Sequence, residues 1–276
     1  MTTQKIIDVW MQHPSQRFIN HPMFESLRQW MKIGKVEQDI PYAFTVGAMD
    51  AAKVNKGLIC SWYNQEGALI SNEEVAQLIE KHPDRFVGIA SVPLNKPVPA
   101  VLELRHWVKE RGFKGLRIVQ WLWNLPPTHA YYYPLFAECV QLGVPVCLQV
   151  GHTGPLMPSE VGRPIPYIDQ IALDFPDLKI VCGHIGYPWT TEMIAVATKH
   201  RNVYIDTSAY SANRFPQELV TYMKGHGKHK VMFGTNYPMI TPAKCLKDLD
   251  QLELGEEVTH KFLYENAVKV FDLDDI

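Results

Sequence analysis

His184 closes an apolar run, and carboxamides close three others: Gln12, Gln149 and Asn236. An imidazole can give or take a proton near neutral pH. A carboxamide cannot take one, but its N–H groups donate towards developing negative charge. Such a set suits proton transfer at one atom with oxyanion stabilisation around it. His152, three residues beyond Gln149, is a second candidate acid or base. Aromatic residues crowd the same run ends, among them Trp10, Trp62, Trp121, Tyr187 and Trp189. They predict a concave, largely apolar rim for a small planar or aromatic substrate, with lid packing as the alternative role for any one of them. Arg117, Arg163 and Arg214 are candidate anchors for a substrate carboxylate or phosphate. Arg117 lies mid-run and inward by alternation, so an internal ion pair with Asp206 or Asp8 is an equal alternative.

The elements that must position these residues alternate along the chain. Strands are expected over residues 5–12, 57–62, 86–92, 114–120, 144–150, 179–184, 202–207 and 230–236. Amphipathic helices are expected over 71–82, 97–111, 133–142, 167–175, 190–200, 216–224 and 242–252. Apolar strands separated by single helices argue for a parallel sheet covered by helices, and eight units argue for closure into an α/β (β/α)8 TIM barrel. Ser71 followed by Glu74, and Thr190 followed by Glu192, offer helix starts; Gly112 and Gly143 sit where a left-handed residue ends a helix. No linker divides the chain, so residues 1–276 are expected to form one domain. Residues 13–56, with short helices over 22–31 and 46–55, form an insertion over the C-terminal rim, where barrel loops build active sites.

Several stretches carry a family resemblance: Ile7-Asp8, Phe175-Pro176-Asp177-Leu178, Gly183-His184-Ile185-Gly186, Asp206-Thr207-Ser208, Gly234-Thr235-Asn236-Tyr237-Pro238 and Glu265-Asn266-Ala267. In these the chain resembles the amidohydrolase-related family that contains aminocarboxymuconate-semialdehyde decarboxylase, resorcylate decarboxylases and pyrone-dicarboxylate lactonase. The resemblance implies a metal held by a His-x-His pair on strand one, by His on strands five and six, and by Asp on strand eight. Those positions hold Trp10, Gln12, Gln149, His184 and Asn236. Indole is no ligand and a carboxamide oxygen is a weak neutral one, so the expectation is that no cofactor is needed. The alternative is a divalent ion, Zn or Mn, on a displaced set of His184, His152 and His13. A one-residue shift in a strand turns His13 to the opposite face, which weighs against that set.

The resemblance and the neutral site together lead to metal-independent hydrolysis of a carbonyl-activated substrate in aromatic catabolism. That reading includes retro-Claisen C–C cleavage of an aryl β-ketoacyl thioester. Metal-dependent decarboxylation of an aromatic or muconate-type acid is the runner-up, and a non-catalytic barrel that only binds is the third. A net charge of −2 gives no footprint for nucleic acid, and no apolar run reaches the length of a membrane span. The first residues lack a signal-peptide core, so the expected location is cytoplasmic. Five scattered cysteines read as buried thiols. A homodimer is expected by resemblance alone.

Overall fold

Runs of Val, Ile, Leu and Cys that are apolar at every position form strands buried on both faces, as a parallel sheet under helices requires. The computed structural model describes residues 4–274, so the reading of Met1–Thr3 as leaderless and the last two positions of the expected domain lie outside the described residues. The strands are β1 (Ile7–Met11), β2 (Lys56–Cys60), β3 (Trp62–Asn64), β4 (Gly67–Ile70), β5 (Phe86–Ile89), β6 (Leu116–Ile118), β7 (Val146–Gln149), β8 (Ile180–Gly183), β9 (Val203–Asp206) and β10 (Val231–Met232). Parallel ladders run β1-β2-β5 and β6-β7-β8-β9-β10. Two seams join them into a barrel. Ala90 bridges Leu116, with Arg117 N–H donating to Ala90 O at 2.7 Å. Opposite, Val9 N–H donates to Phe233 O at 3.0 Å, and Asn236 N–H to Trp10 O at 2.7 Å. The (β/α)8 barrel expected from the alternation is the fold observed.

Strands end earlier than the apolar runs suggest, and they end at the chemistry. His184 (φ 73°), Ile185 (φ 52°) and Asn236 (φ 63°) adopt left-handed backbone. A left-handed residue cannot continue a ladder, so the chain turns out of the barrel there. For branched Ile185 the conformation is strained, and such strain gathers at working sites.

Helix ends follow local chemistry. Ser71 and Glu74 form a reciprocal capping box on Asn72–Lys81: Glu74 N–H donates to Ser71 Oγ (3.1 Å), and Ser71 N–H to the Glu74 carboxylate (2.6 Å). Gly143 (φ 71°) closes Tyr133–Leu142. Thr190 does not cap; it is the first residue of Thr190–Lys199, behind Trp189. Alternation missed the β3–β4 hairpin, where Asn64 Oδ1 accepts from the N–H groups of Glu66 and Gly67 in a side-chain-built turn. In the insertion the helix expected over 46–55 is Tyr42–Ala51, starting behind Pro41, and a short helix Gln16–Ile19 precedes both expected ones. All five cysteines are free and buried. Among the described residues, no helix is long and apolar enough to cross a membrane.

Candidate active site

A cavity of about 550 Å³ opens at the C-terminal ends of the strands. Gln12, Gln149, His184 and Asn236 make its floor, Trp62, Trp121 and Phe24 its walls. Floor residues Gln12 and Gln149 are buried, whereas Trp30 and Tyr187 at the mouth are 75% and 48% exposed. Barrel closure explains the convergence. Side chains at strand ends point inward, and Gln12, Gln149 and His184 end β1, β7 and β8 or follow directly on them.

His184 is held through Nδ1, 2.6 Å from Ser208 Oγ, and among the described residues no hydrogen bond engages its Nε2. Ser208 N–H in turn donates to Asp206 Oδ1 at 2.8 Å. Burial pushes the His184 pKa down to about 3, and the Arg117 charge adds to this. The imidazole is therefore neutral at neutral pH. Burial also raises Asp206 to about 6, against the hydrogen bonds of Ser208. Asp8 rises to about 7 by burial, although Thr235 Oγ1 donates to it at 2.5 Å.

Four expected substrate contacts lie elsewhere. Trp10 is fully buried beneath the floor rather than in the cavity. Its ring meets His184 edge-on at 5.1 Å and carries the Arg117 guanidinium at 3.7 Å. Gly183 clears the space for that ring: a Cβ there would stand 2.7 Å from Trp10 Cζ3, whereas one on Gly234 would meet Asp206 Oδ1 first, at 2.9 Å. Arg117 is fully buried too, and neither expected role holds. It does not line the cavity, and among the described residues it makes no ion pair; it donates to Val9 O (3.3 Å) and to Cys60 Sγ. Arg163 pairs with Glu192 at 2.7 Å and lies over Trp189 at 5.3 Å, and neither Arg163 nor Trp189 lines the cavity.

Trp121 and Tyr187 do line it, and His152 stands exposed at its mouth, its ring 5.7 Å from Tyr187. Arg214 also lines the mouth, with no ion pair or side-chain hydrogen bond among the described residues. Phe24, Leu27, Trp30 and Met31, all from the insertion, also line it. The displaced histidine set does not assemble. His13 Nδ1 is 2.8 Å from Thr45 Oγ1 and Nε2 3.0 Å from Ile40 O, on the outward face that strand alternation assigns to it.

Residues 35–273 match the family model described as Amidohydrolase. The chain belongs to this amidohydrolase family. It is 26% identical to the gamma-resorcylate decarboxylase of Rhodococcus jostii strain RHA1, over 74% of this chain and 76% of that protein. Among solved structures, an uncharacterised TIM-barrel protein of Bordetella bronchiseptica superposes with a TM-score of 0.82 at 22% identity, covering 97% of this chain and 98% of that one. A dihydroxybenzoic acid decarboxylase of Polaromonas sp. JS666, with bound manganese and the inhibitor 2-nitroresorcinol, superposes at 0.72 with 20% identity, over 99% and 98%. The manganese bound in that neighbour corrects the expectation that no cofactor is needed: a barrel of the same fold holds a metal ion there.

This chain's own donors do not make a matching site. Trp10 offers no lone pair to a metal. The carbonyl oxygens of Gln12, Gln149 and Asn236 each accept a hydrogen bond from a neighbouring side chain: Trp62 at 3.3 Å, Trp121 at 2.8 Å and Gln12 at 3.1 Å respectively. Among the described residues, no three or more His, Cys, Asp or Glu side chains are grouped to hold an ion. The residues present do not fit a divalent metal, and no step below is routed through one.

Proposed function

We propose that this amidohydrolase-family enzyme removes the carboxyl group of a small planar carboxylic acid with a conjugated oxygen, such as a hydroxybenzoate. The supporting observation is the cavity itself: flat indole walls over a floor where His184 stands beside the Gln149 and Asn236 carboxamides. Likeness to a resorcylate decarboxylase favours the same reaction class. The C–CO₂ bond breaks, CO₂ leaves, and the bonding pair passes into the conjugated system while a proton takes its place on carbon (RCOO⁻ + H⁺ → RH + CO₂). The carboxamide N–H groups hold the oxygen on which negative charge collects. A bound carboxylate beside His184 favours the cationic ring and so loads Nε2 as proton donor.

The test is CO₂ release from 2,6-dihydroxybenzoate, 2-hydroxybenzoate and their ring-substituted analogues, assayed in manganese-containing buffer. Turnover by the wild type and a loss of about 10²–10⁴-fold in His184→Gln are expected. No CO₂ from any member of the panel overturns the proposal.

A second reading is hydrolytic C–C cleavage of an aryl β-ketoacyl thioester, in which water adds to the ketone and the thioester enolate leaves. Arg214, at the mouth with no ion pair among the described residues, favours it, because a guanidinium there can hold an anionic group on the thioester's carrier. Its products are an aromatic acid and a shorter thioester, with no CO₂.

A further inference from the structure

Two indoles decide which end of each floor carboxamide the cavity meets. An indole N–H donates and cannot accept. Trp62 Nε1 donates to Gln12 Oε1 at 3.3 Å, so the Gln12 Nε2 group points the other way. There it meets Asn236 Oδ1 at 3.1 Å and the Asn236 backbone carbonyl at 3.4 Å. A backbone carbonyl only accepts, so both ends of Gln12 fix the same orientation. With Oδ1 engaged, Asn236 turns Nδ2 to the cavity. Independently, Trp121 Nε1 donates to Gln149 Oε1 at 2.8 Å and turns Gln149 Nε2 to the same cavity. Among the described residues, neither Gln149 Nε2 nor Asn236 Nδ2 has a protein acceptor. The two indoles also touch each other, centroids 6.1 Å apart.

We infer that Trp62 and Trp121 are positioning residues that lock Asn236 and Gln149 as N–H donors, so that the site selects a ligand presenting acceptors only. A carboxylate or an enolate oxygen meets that demand, whereas the isosteric carboxamide sets N–H₂ against N–H₂. The inference rests on the planar-acid reading for the size and shape of the ligand, but not on which bond breaks. Donors left unpaired in a buried site cost about tenfold or more in affinity.

Isothermal titration with 2-hydroxybenzoate and 2-hydroxybenzamide, on wild type and Trp121→Phe, tests it. Wild type is expected to prefer the anion by about tenfold or more. Trp121→Phe leaves every charge in place but frees the Gln149 amide to rotate, so the preference should narrow towards unity. Loss of packing alone would weaken both ligands equally. Gln149→Glu keeps an oxygen for the Trp121 N–H and turns a carboxylate oxygen into the cavity; it should reverse the preference, and it decides the matter if Trp121→Phe does not fold. Equal binding of the two probes by wild type, binding of neither, or an unchanged preference in the folded variants overturns the inference. Anion preference without CO₂ release contradicts the decarboxylation reading alone; CO₂ release without anion preference contradicts the positioning role alone.

Discussion

Burial keeps the His184 ring uncharged at neutral pH, and this makes stability depend on pH. Its pKa falls from 6.5 to about 3 on folding, chiefly through burial and then through Arg117. Between those values the unfolded chain binds the proton and the native chain does not. Stability from this group is therefore full above 6.5 and is lost as pH falls towards 3. Asp8 and Asp206, both raised by burial, act in the opposite sense, and they are common to any His184 variant. From about pH 7 to about pH 5, the melting temperature of the wild type should fall relative to that of His184→Gln, whatever the common carboxyls do to both. Parallel profiles for the two proteins would contradict the buried neutral ring. Arg214 makes a separate prediction at the mouth. Arg214→Gln should raise KM about three- to tenfold with kcat little changed, since an exposed cation contributes mainly to uniform binding. An equal loss in kcat would place Arg214 at the reacting atoms instead.

At the level of elements, the barrel strands were legible because apolar runs of that length, separated by amphipathic helices, allow few other arrangements. His184, Gln12, Gln149 and Asn236 were legible for a related reason: they close those runs, where barrel loops gather. Depth was not legible. Alternation tells that Trp10 and Arg117 point inward, but not that both lie a layer below the floor, stacked on each other at 3.7 Å. The missing signal was at another position, in Gly183, which clears room for the indole. Gly183→Ala should cost about 1–3 kcal/mol in urea unfolding, because its Cβ would meet the Trp10 ring. In a Trp10→Leu background the same change should cost far less, as contacting residues are not additive. Additive costs would show that the glycine serves another neighbour. Arg163 and Trp189 misled for a different reason. Trp189 follows a strand end, but Arg163 lies over its ring and pairs with Glu192, an arrangement that spacing does not announce.

At the scale of the whole molecule, the insertion and the barrel together make one cavity with apolar walls and a hydrogen-bonding floor. Trp30, 75% exposed at its mouth, should be dispensable for folding. Trp30→Ala is expected to leave the melting temperature within about 2 °C and to raise KM for a planar acid. A large stability loss would mean that this residue is part of the fold's core. The central claim is that a carboxyl group is exchanged for a proton at carbon under His184. The most direct measurement is turnover of 2,6-dihydroxybenzoate in D₂O, followed by NMR of the product. One deuterium at the carbon that bore the carboxyl group, formed at least about a hundredfold more slowly by His184→Gln, is the predicted result. A product that keeps its carboxyl group, or a deuterated product formed equally fast by His184→Gln, would contradict it.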